Sequence, residues 1–375
     1  MNEKQKRRSK KGVDKRNYGI DALRLVAMLC VVILHILGRG GGMRNVQGQQ
    51  GSLLWLIEIM AYCAVNCYGI ISGYVSFSEV KKEYHYEKYI SMWIQVFFYS
   101  VAIMGVAYLI APSSIKDISL KTILLPVTSG VYWYFTAYTG LFFLIPWLNC
   151  FVRERTKREM SSIILGIFLL FSCYPSVVGS IADPFKIGNG YSFLWLMFLY
   201  LIGAWMKKCR ITDYIEGKFA FIVFVICEII MWRGALFNEG VKKVLVSYIS
   251  PTMVIVSICC VIIFSKWRVG RITKGLIKCF APAAFGVYLI HVHILCWNYI
   301  EEKFLWITEV KELWKIPLSV VGSAGIIFIG CLLIEKLRLI IFSVFRINNM
   351  AEFLIRIIGR KIKGVFSNIY SKFAN

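Results

Sequence analysis

Charged side chains are scarce in this sequence and acidic ones scarcest: Asp, Glu, Lys and Arg make up 17% of 375 residues, 21 acidic against 44 basic. The net charge of +23 is not gathered into one basic groove, and no nucleic-acid motif accompanies it, so no nucleic-acid partner is expected. Paired Cys-x-x-Cys motifs are absent from the twelve cysteines, which removes zinc-ribbon spacing and leaves no metal site expected. Cys30, Cys63, Cys67, Cys173, Cys227, Cys259, Cys260 and Cys331 fall inside apolar runs, where cysteine packs as a small apolar residue. No internal repeat or low-complexity linker divides the chain. No small-residue cleavage site follows the first apolar run, so the basic start "MNEKQKRRSKKGVDKR" is expected to be retained.

What the sequence has in abundance is apolar surface. Hydrophobic residues make up 58% and aromatics 15%, and the mean hydropathy is +0.64. That composition belongs to an integral membrane protein. Ten apolar runs have membrane length, at 19–38, 52–77, 89–111, 131–149, 161–178, 191–206, 219–237, 244–265, 281–300 and 317–342. The expected fold is all-α and polytopic, with about ten transmembrane helices. "KKEYHYEK", "RERTKRE", "KKCRITDYIEGK" and "KWRVGRITKGLIK" are rich in Lys and Arg, whereas "SVVGSIADPFKIGNG" and "EEKFLWITEVKELWK" balance or lack positive charge; "GRGGGMRN" is a mild exception. The positive-inside rule then puts both termini in the cytoplasm of a multi-pass cell-membrane protein. The expected organisation is a basic N-terminal tail over 1–17, a membrane domain over 18–342 and a basic tail over 343–375. That last tail is either an amphipathic helix on anionic lipid or a plain basic anchor.

The first span, "YGIDALRLVAMLCVVILHI" over 18–36, carries three ionisable residues. Arg24 and His35 are 35 − 24 = 11 positions apart, which at about 100° per residue returns to within about 20° of the same direction. Asp21, three residues before Arg24, joins that face. Along the axis Arg24 and His35 are roughly 16 Å apart. One reading is an interfacial Asp–Arg pair that snorkels, with His35 bonding between helices. The other is a polar pathway or site, which ionisable residues inside spans usually mark.

"DALRLVAMLCVVILHI" resembles the first-span signature of the membrane acyltransferase-3 family. "YGIISGYVSF" at 68–77 is similar to that family's second-span ending, "YWYFTAYTGLFFLIPWLN" at 132–149 to its aromatic fourth span, and "FGVYLIHVHIL" at 285–295 to its late Tyr-Leu-Ile-His motif. The resemblance runs in order over about residues 17–342. It implies transfer of an acyl group, usually acetyl from cytoplasmic acetyl-CoA, to sugar hydroxyls of a surface polysaccharide or its lipid-linked precursor. Acetyl-CoA would then be a substrate rather than a bound cofactor, and acyl-CoA, a glycan acceptor and membrane lipids the partners. It also implies that Arg24 and His35 carry activity. At the start of the third span many relatives carry an Arg-x-x-Arg pair, whereas this sequence reads "EKYISMWIQ". Lys88, with Lys81 and Lys82, stands in as point charge without the bidentate guanidinium fork.

Acyl transfer to a hydroxyl needs a base and a group that stabilises the oxyanion. His35 is the expected base, and Glu58, at similar depth on the next span, the expected orienting group. Arg24 and Lys88 are the expected donor-binding residues. His291, with Tyr288 three residues earlier on the same face, is a supporting candidate or a helix-packing partner; His293 points about 200° away and reads as packing. Trp133, Tyr134 and Tyr138 either line a glycan groove or form an interfacial belt. His85 is expected to be solvated. A proton-coupled transporter or exporter of a small polar solute is the alternative, because intramembrane His, Glu and Arg serve such pathways too.

Overall fold

The computed structural model describes residues 16–81, 83–116, 118–178 and 185–347, so most of both basic tails lies outside the described residues. Every regular element among the described residues is helical. Helix α1, Tyr18–Leu37, begins where the extended Asn17 accepts the Gly19 and Ile20 amides with its side chain, satisfying two N–H groups that have no partner inside the helix. Helices α2, Gly48–Tyr62, and α3, Ala64–Ser76, meet at Cys63 and together form one spanning unit. Then follow α4 (Glu87–Ile110), α5 (Trp133–Glu154), α6 (Lys157–Phe168, continued by further turns to Val178), α7 (Phe193–Cys209) and α8 (Gly217–Phe237). The chain ends through α9 (Pro251–Lys266), α10 (Arg271–Phe280), α11 (Ala284–His291), α12 (Ile294–Ile300) and α13 (Lys315–Val344).

Among the described residues, eight units are long and apolar enough to cross a membrane. The predicted segments 191–206 and 244–265 fold as the shorter α7, of 17 residues, and α9, of 16. At about 1.5 Å per residue these reach roughly 25 Å, less than the roughly 30 Å hydrocarbon core. Their limits have local causes. Ser192 caps the start of α7 and Arg210, at φ 58°, ends it; Pro251 in the first turn of α9 fixes where that helix begins. The predicted segment 281–300 is also redrawn. Its helical unit starts earlier, at Arg271, and ends at His291, before a separate α12.

Helix α1 is the hub, packed against α2, α3, α9, α10, α11 and α13. The outer helices keep apolar side chains outward: α13 exposes Leu318, Ile326, Ile329, Leu333 and Ile340. Such all-round apolarity fits a helix whose outer face meets lipid. The loops sort onto two sides. At one, Asn17 Nδ2 donates to the Ser265 carbonyl at 2.8 Å and Lys274 lies over the Tyr18 ring, joining the start of α1 to the basic 266–278 run. At the other, the Phe304 amide donates to the Gly40 carbonyl at 2.9 Å, Arg39 pairs with Glu301 at 2.7 Å and Arg44 pairs with Glu302. The "GRGGGMRN" and "EEKFLWITEVKELWK" runs therefore share a side.

The α3–α7 crossing is set by glycine. A Cβ at Gly203 would stand 1.9 Å from the Ile70 carbonyl oxygen, and one at Gly73 1.8 Å from that of Tyr200. In a membrane, where apolar side chains gain little by leaving lipid, such backbone approach is a main source of helix association. Gly203→Leu is expected to cost at least the roughly 1–3 kcal/mol of an overpacked core and to lower the melting temperature in detergent. Gly105→Ala, with nothing within 4 Å of the new Cβ, is the matched control and should melt like the parent. Equal melting of both variants would remove the crossing from the account.

One buried polar cluster ties three helices together. On α13, Glu335 is fully buried and accepts from Gln95 Nε2 at 3.0 Å and Tyr99 Oη at 2.6 Å, both on α4. Arg338 donates to the same carboxylate from Nε at 2.9 Å and Nη2 at 2.5 Å. Gly286 of α11 lies against it, where a Cβ would come within 2.5 Å of the carboxyl carbon.

Candidate active site

A cavity of about 670 Å³ opens beside α1. Met28, Val31 and His35 line it from α1, the i, i+3, i+7 spacing of one helical face. Glu58 and Tyr62 of α2 and Val65 and Tyr68 of α3 form the facing wall. Tyr288 comes from α11, Trp297 from α12, and Trp133 and Tyr134 from the start of α5.

His35 Nδ1 lies 3.0 Å from His291 Nε2, and His291 Nδ1 lies 2.5 Å from the Val287 carbonyl oxygen. The network assigns the protons. A carbonyl only accepts, so His291 carries its proton on Nδ1, and its Nε2, in the neutral ring, accepts. His35 must then donate from Nδ1, which leaves its Nε2 lone pair free. Trp297 meets the His35 ring edge-on, with centroids 4.7 Å apart. The helix breaks just after this pair: Val292 still donates to the Tyr288 carbonyl at 3.1 Å, while His293 turns away and caps α12 by accepting the Leu295 amide. With the helix broken, the expected 200° separation of His291 and His293 on one continuous helix does not apply.

Glu58 was expected to orient His35, but the group against the His35 ring is His291. Glu58 lines the same cavity, and its Oε2 is buried without a hydrogen-bond partner among the described residues. Lys88 is exposed near the start of α4 and, like Arg24, is not among the residues lining the cavity. Lys82 lies outside the described residues.

Arg24 lies four positions before Met28 on the face that lines the cavity. Its Nη1 pairs with Asp21 at 2.8 Å, and the same buried carboxylate accepts from Arg16 at 2.5 Å. Two guanidiniums on one carboxylate leave local positive charge. The Tyr68 hydroxyl donates to the Arg24 backbone carbonyl at 2.5 Å, and Tyr68 itself lines the cavity.

Trp133, Tyr134 and Tyr288 are brought into the wall, whereas Tyr138 is not among the residues lining it. The Tyr134 amide donates to the Tyr288 hydroxyl at 3.3 Å, and Trp133 packs on Tyr191 with centroids 4.7 Å apart. Tyr248, against both Tyr191 and Tyr62, completes an aromatic side that the sequence reading missed. Arg39 was missed as well. It lines the cavity, and its Nε is buried with no partner among the described residues while Nη2 holds Glu301. The signal was present, since Arg39 belongs to the run that broke the loop-charge pattern. Gly41, at φ 81°, supplies the turn that returns this run to the 302–305 segment.

The arrangement can do proton chemistry: a histidine with a fixed tautomer presents a lone pair inside an apolar, aromatic cavity, with an arginine at its rim. Over residues 17–336 the chain matches the acyltransferase domain family. No curated protein and no solved structure matches it.

Proposed function

The chain belongs to the acyltransferase-3 family, and from that premise we propose that it O-acylates a glycan. In this reading an acyl group, acetyl by preference, passes from cytoplasmic acyl-CoA to hydroxyls of a bacterial surface polysaccharide or its lipid-linked precursor. The observation that carries it is the His35–His291 contact at 3.0 Å, which leaves His35 Nε2 free to accept a proton in the cavity. His35 Nε2 takes the proton of the acceptor hydroxyl as that oxygen attacks the thioester carbonyl. The carbonyl π pair moves to oxygen, and Arg39 Nε and the Tyr288 hydroxyl are the donors at hand for it. When the oxyanion collapses, the carbon–sulfur bond breaks and the imidazolium returns its proton to the leaving thiolate. Ester and free CoA result, and the histidine is regenerated.

His291 acts here as a positioning residue: it holds the His35 tautomer and adds no proton of its own. Arg24, roughly 16 Å from His35 along α1, suits the phosphate end of an extended CoA. Trp133 and Tyr134 are placed to stack on an acceptor sugar, and Glu58 to accept from its hydroxyls. Both termini are cytoplasmic in this proposal, which keeps Arg24 on the donor side.

The test is ester-linked acetate, released by mild alkali from the surface glycan of cells with and without the protein. Acetate present only with the protein is expected; none in either strain would defeat the reading. Arg24→Lys should raise the KM for acetyl-CoA by about tenfold or more, because lysine keeps the charge but loses the bidentate grip. An unchanged KM in Arg24→Ala would leave Arg24 as a snorkelling residue.

A further inference from the structure

Three thiols meet on the side of α2–α3 turned away from the cavity. Cys63 stands at the α2–α3 joint, Cys67 one turn later on α3, and Cys260 on α9; their sulfurs all lie within 4.8 Å of one another, and all three residues are buried. Beyond one another they meet, among the described residues, only weak backbone acceptors: Cys63 Sγ is 3.7 Å from the Met60 carbonyl and Cys67 Sγ 4.0 Å from the Ser257 carbonyl. Scattered cysteines in apolar helices need only pack. Three converging on one point from two elements are a donor set.

A second observation points the same way. Glu228 of α8 is 5% exposed, and both of its carboxyl oxygens are buried without a hydrogen-bond partner among the described residues. Its helix, α8, packs along α9, which carries Cys260. A buried carboxyl without a partner is costly, and a cation beside it relieves that cost.

We propose that Cys63, Cys67 and Cys260 form a buried three-sulfur site for a single thiophilic d¹⁰ metal ion, copper(I) or zinc(II), with Glu228 supplying neighbouring negative charge. Thiolate sulfurs select these ions over hard cations. With metal–sulfur bonds of about 2.3 Å, three sulfurs on a common ion lie roughly 3.8–4.0 Å apart, inside the observed spacing. Each sulfur that binds as thiolate releases one proton to bulk water. The site is independent of the acyl-transfer reading. It sits at the joint between the part of the cavity wall that holds Glu58 and Tyr62 and the part that holds Tyr68, so a bound ion would fix the angle between them.

The experiment uses the purified full-length protein, kept reduced. Zinc(II) is titrated against a chromophoric chelator, and copper(I), anaerobically, against a copper(I)-specific one. One equivalent of at least one of the two ions should bind, and Cys67→Ser and Cys260→Ser should each lose it while Cys173→Ser keeps it. No uptake of either ion, or unchanged stoichiometry in both cluster variants, overturns the site. Mapping alkylation of the unaltered protein by mass spectrometry removes any dependence on variant folding. In denaturant just below the unfolding midpoint, where the buried thiols open to reagent, the bound ion should slow maleimide reaction at Cys63, Cys67 and Cys260 and leave the exposed Cys150 and Cys279 unaffected; cluster thiols that react there at equal rates with and without metal overturn it too.

Discussion

Cells carrying His35→Ala at wild-type membrane levels are expected to lose ester-linked acetate from their glycan almost completely. A general base contributes on the order of 10²- to 10⁴-fold to rate, and the alanine removes the lone pair that the His35–His291 contact leaves free. The span should still insert, because α1 buries its apolar side chains on several helices. His291 separates positioning from packing. His291→Ala leaves His35 Nδ1 without its acceptor 3.0 Å away, so activity should fall. His291→Gln offers a side-chain oxygen in that place and should restore part of it. If His291 only packed, the two variants would not differ in this order. Glu58→Gln is expected to raise KM for the acceptor with little change in kcat, since the carboxyl does not touch His35. Wild-type acetate in the His35→Ala strain would sink the catalytic assignment. Proton-coupled solute uptake by a protein that makes no ester would instead return the transporter reading.

The half of this site on α1 was legible in the sequence, because a helix converts 3.6-residue spacing directly into a face, and Met28, Val31 and His35 do line one cavity. His35's partner was not. His291 is 256 positions away, and no local pattern shows which faces of two distant spans meet. Trp133, Tyr134 and Tyr288 were found through motif resemblance, yet whether the aromatics faced lipid or cavity required the neighbours Tyr191 and Tyr248, which sit in connecting segments without periodicity. The helices themselves were readable as apolar runs, while the ends of α7 and α9 were decided by single residues, Arg210 in a left-handed conformation and Pro251 at a first turn. Glu335 and Arg338 were passed over because one ion pair barely disturbs the hydropathy of the last span.

That pair carries the largest expected effect on stability. Arg338→Met keeps much of the side chain's length and apolar stem but leaves Glu335 as a buried carboxylate held only by the neutral donors Gln95 and Tyr99. Breaking a buried pair in this way costs about 3–5 kcal/mol. Glu335→Gln added to Arg338→Met should recover much of that loss, because the amide oxygen still accepts from Tyr99 and no charge is stranded. The single variant is therefore expected to unfold at lower denaturant than the double, an order that simple loss of contacts would reverse. Chemical denaturation in detergent, followed by tryptophan fluorescence, measures both; equal midpoints would mean that the ion pair adds nothing beyond its hydrogen bonds. The consequence reaches the active site, since Glu335 joins α4 and α13 and lies against Gly286 of α11, and α11 ends five residues later at His291. Acyl transfer by Arg338→Met, assayed at a temperature where the protein is still folded, should fall further than acyl transfer by the double variant, because a displaced α11 moves the acceptor of the His35 proton.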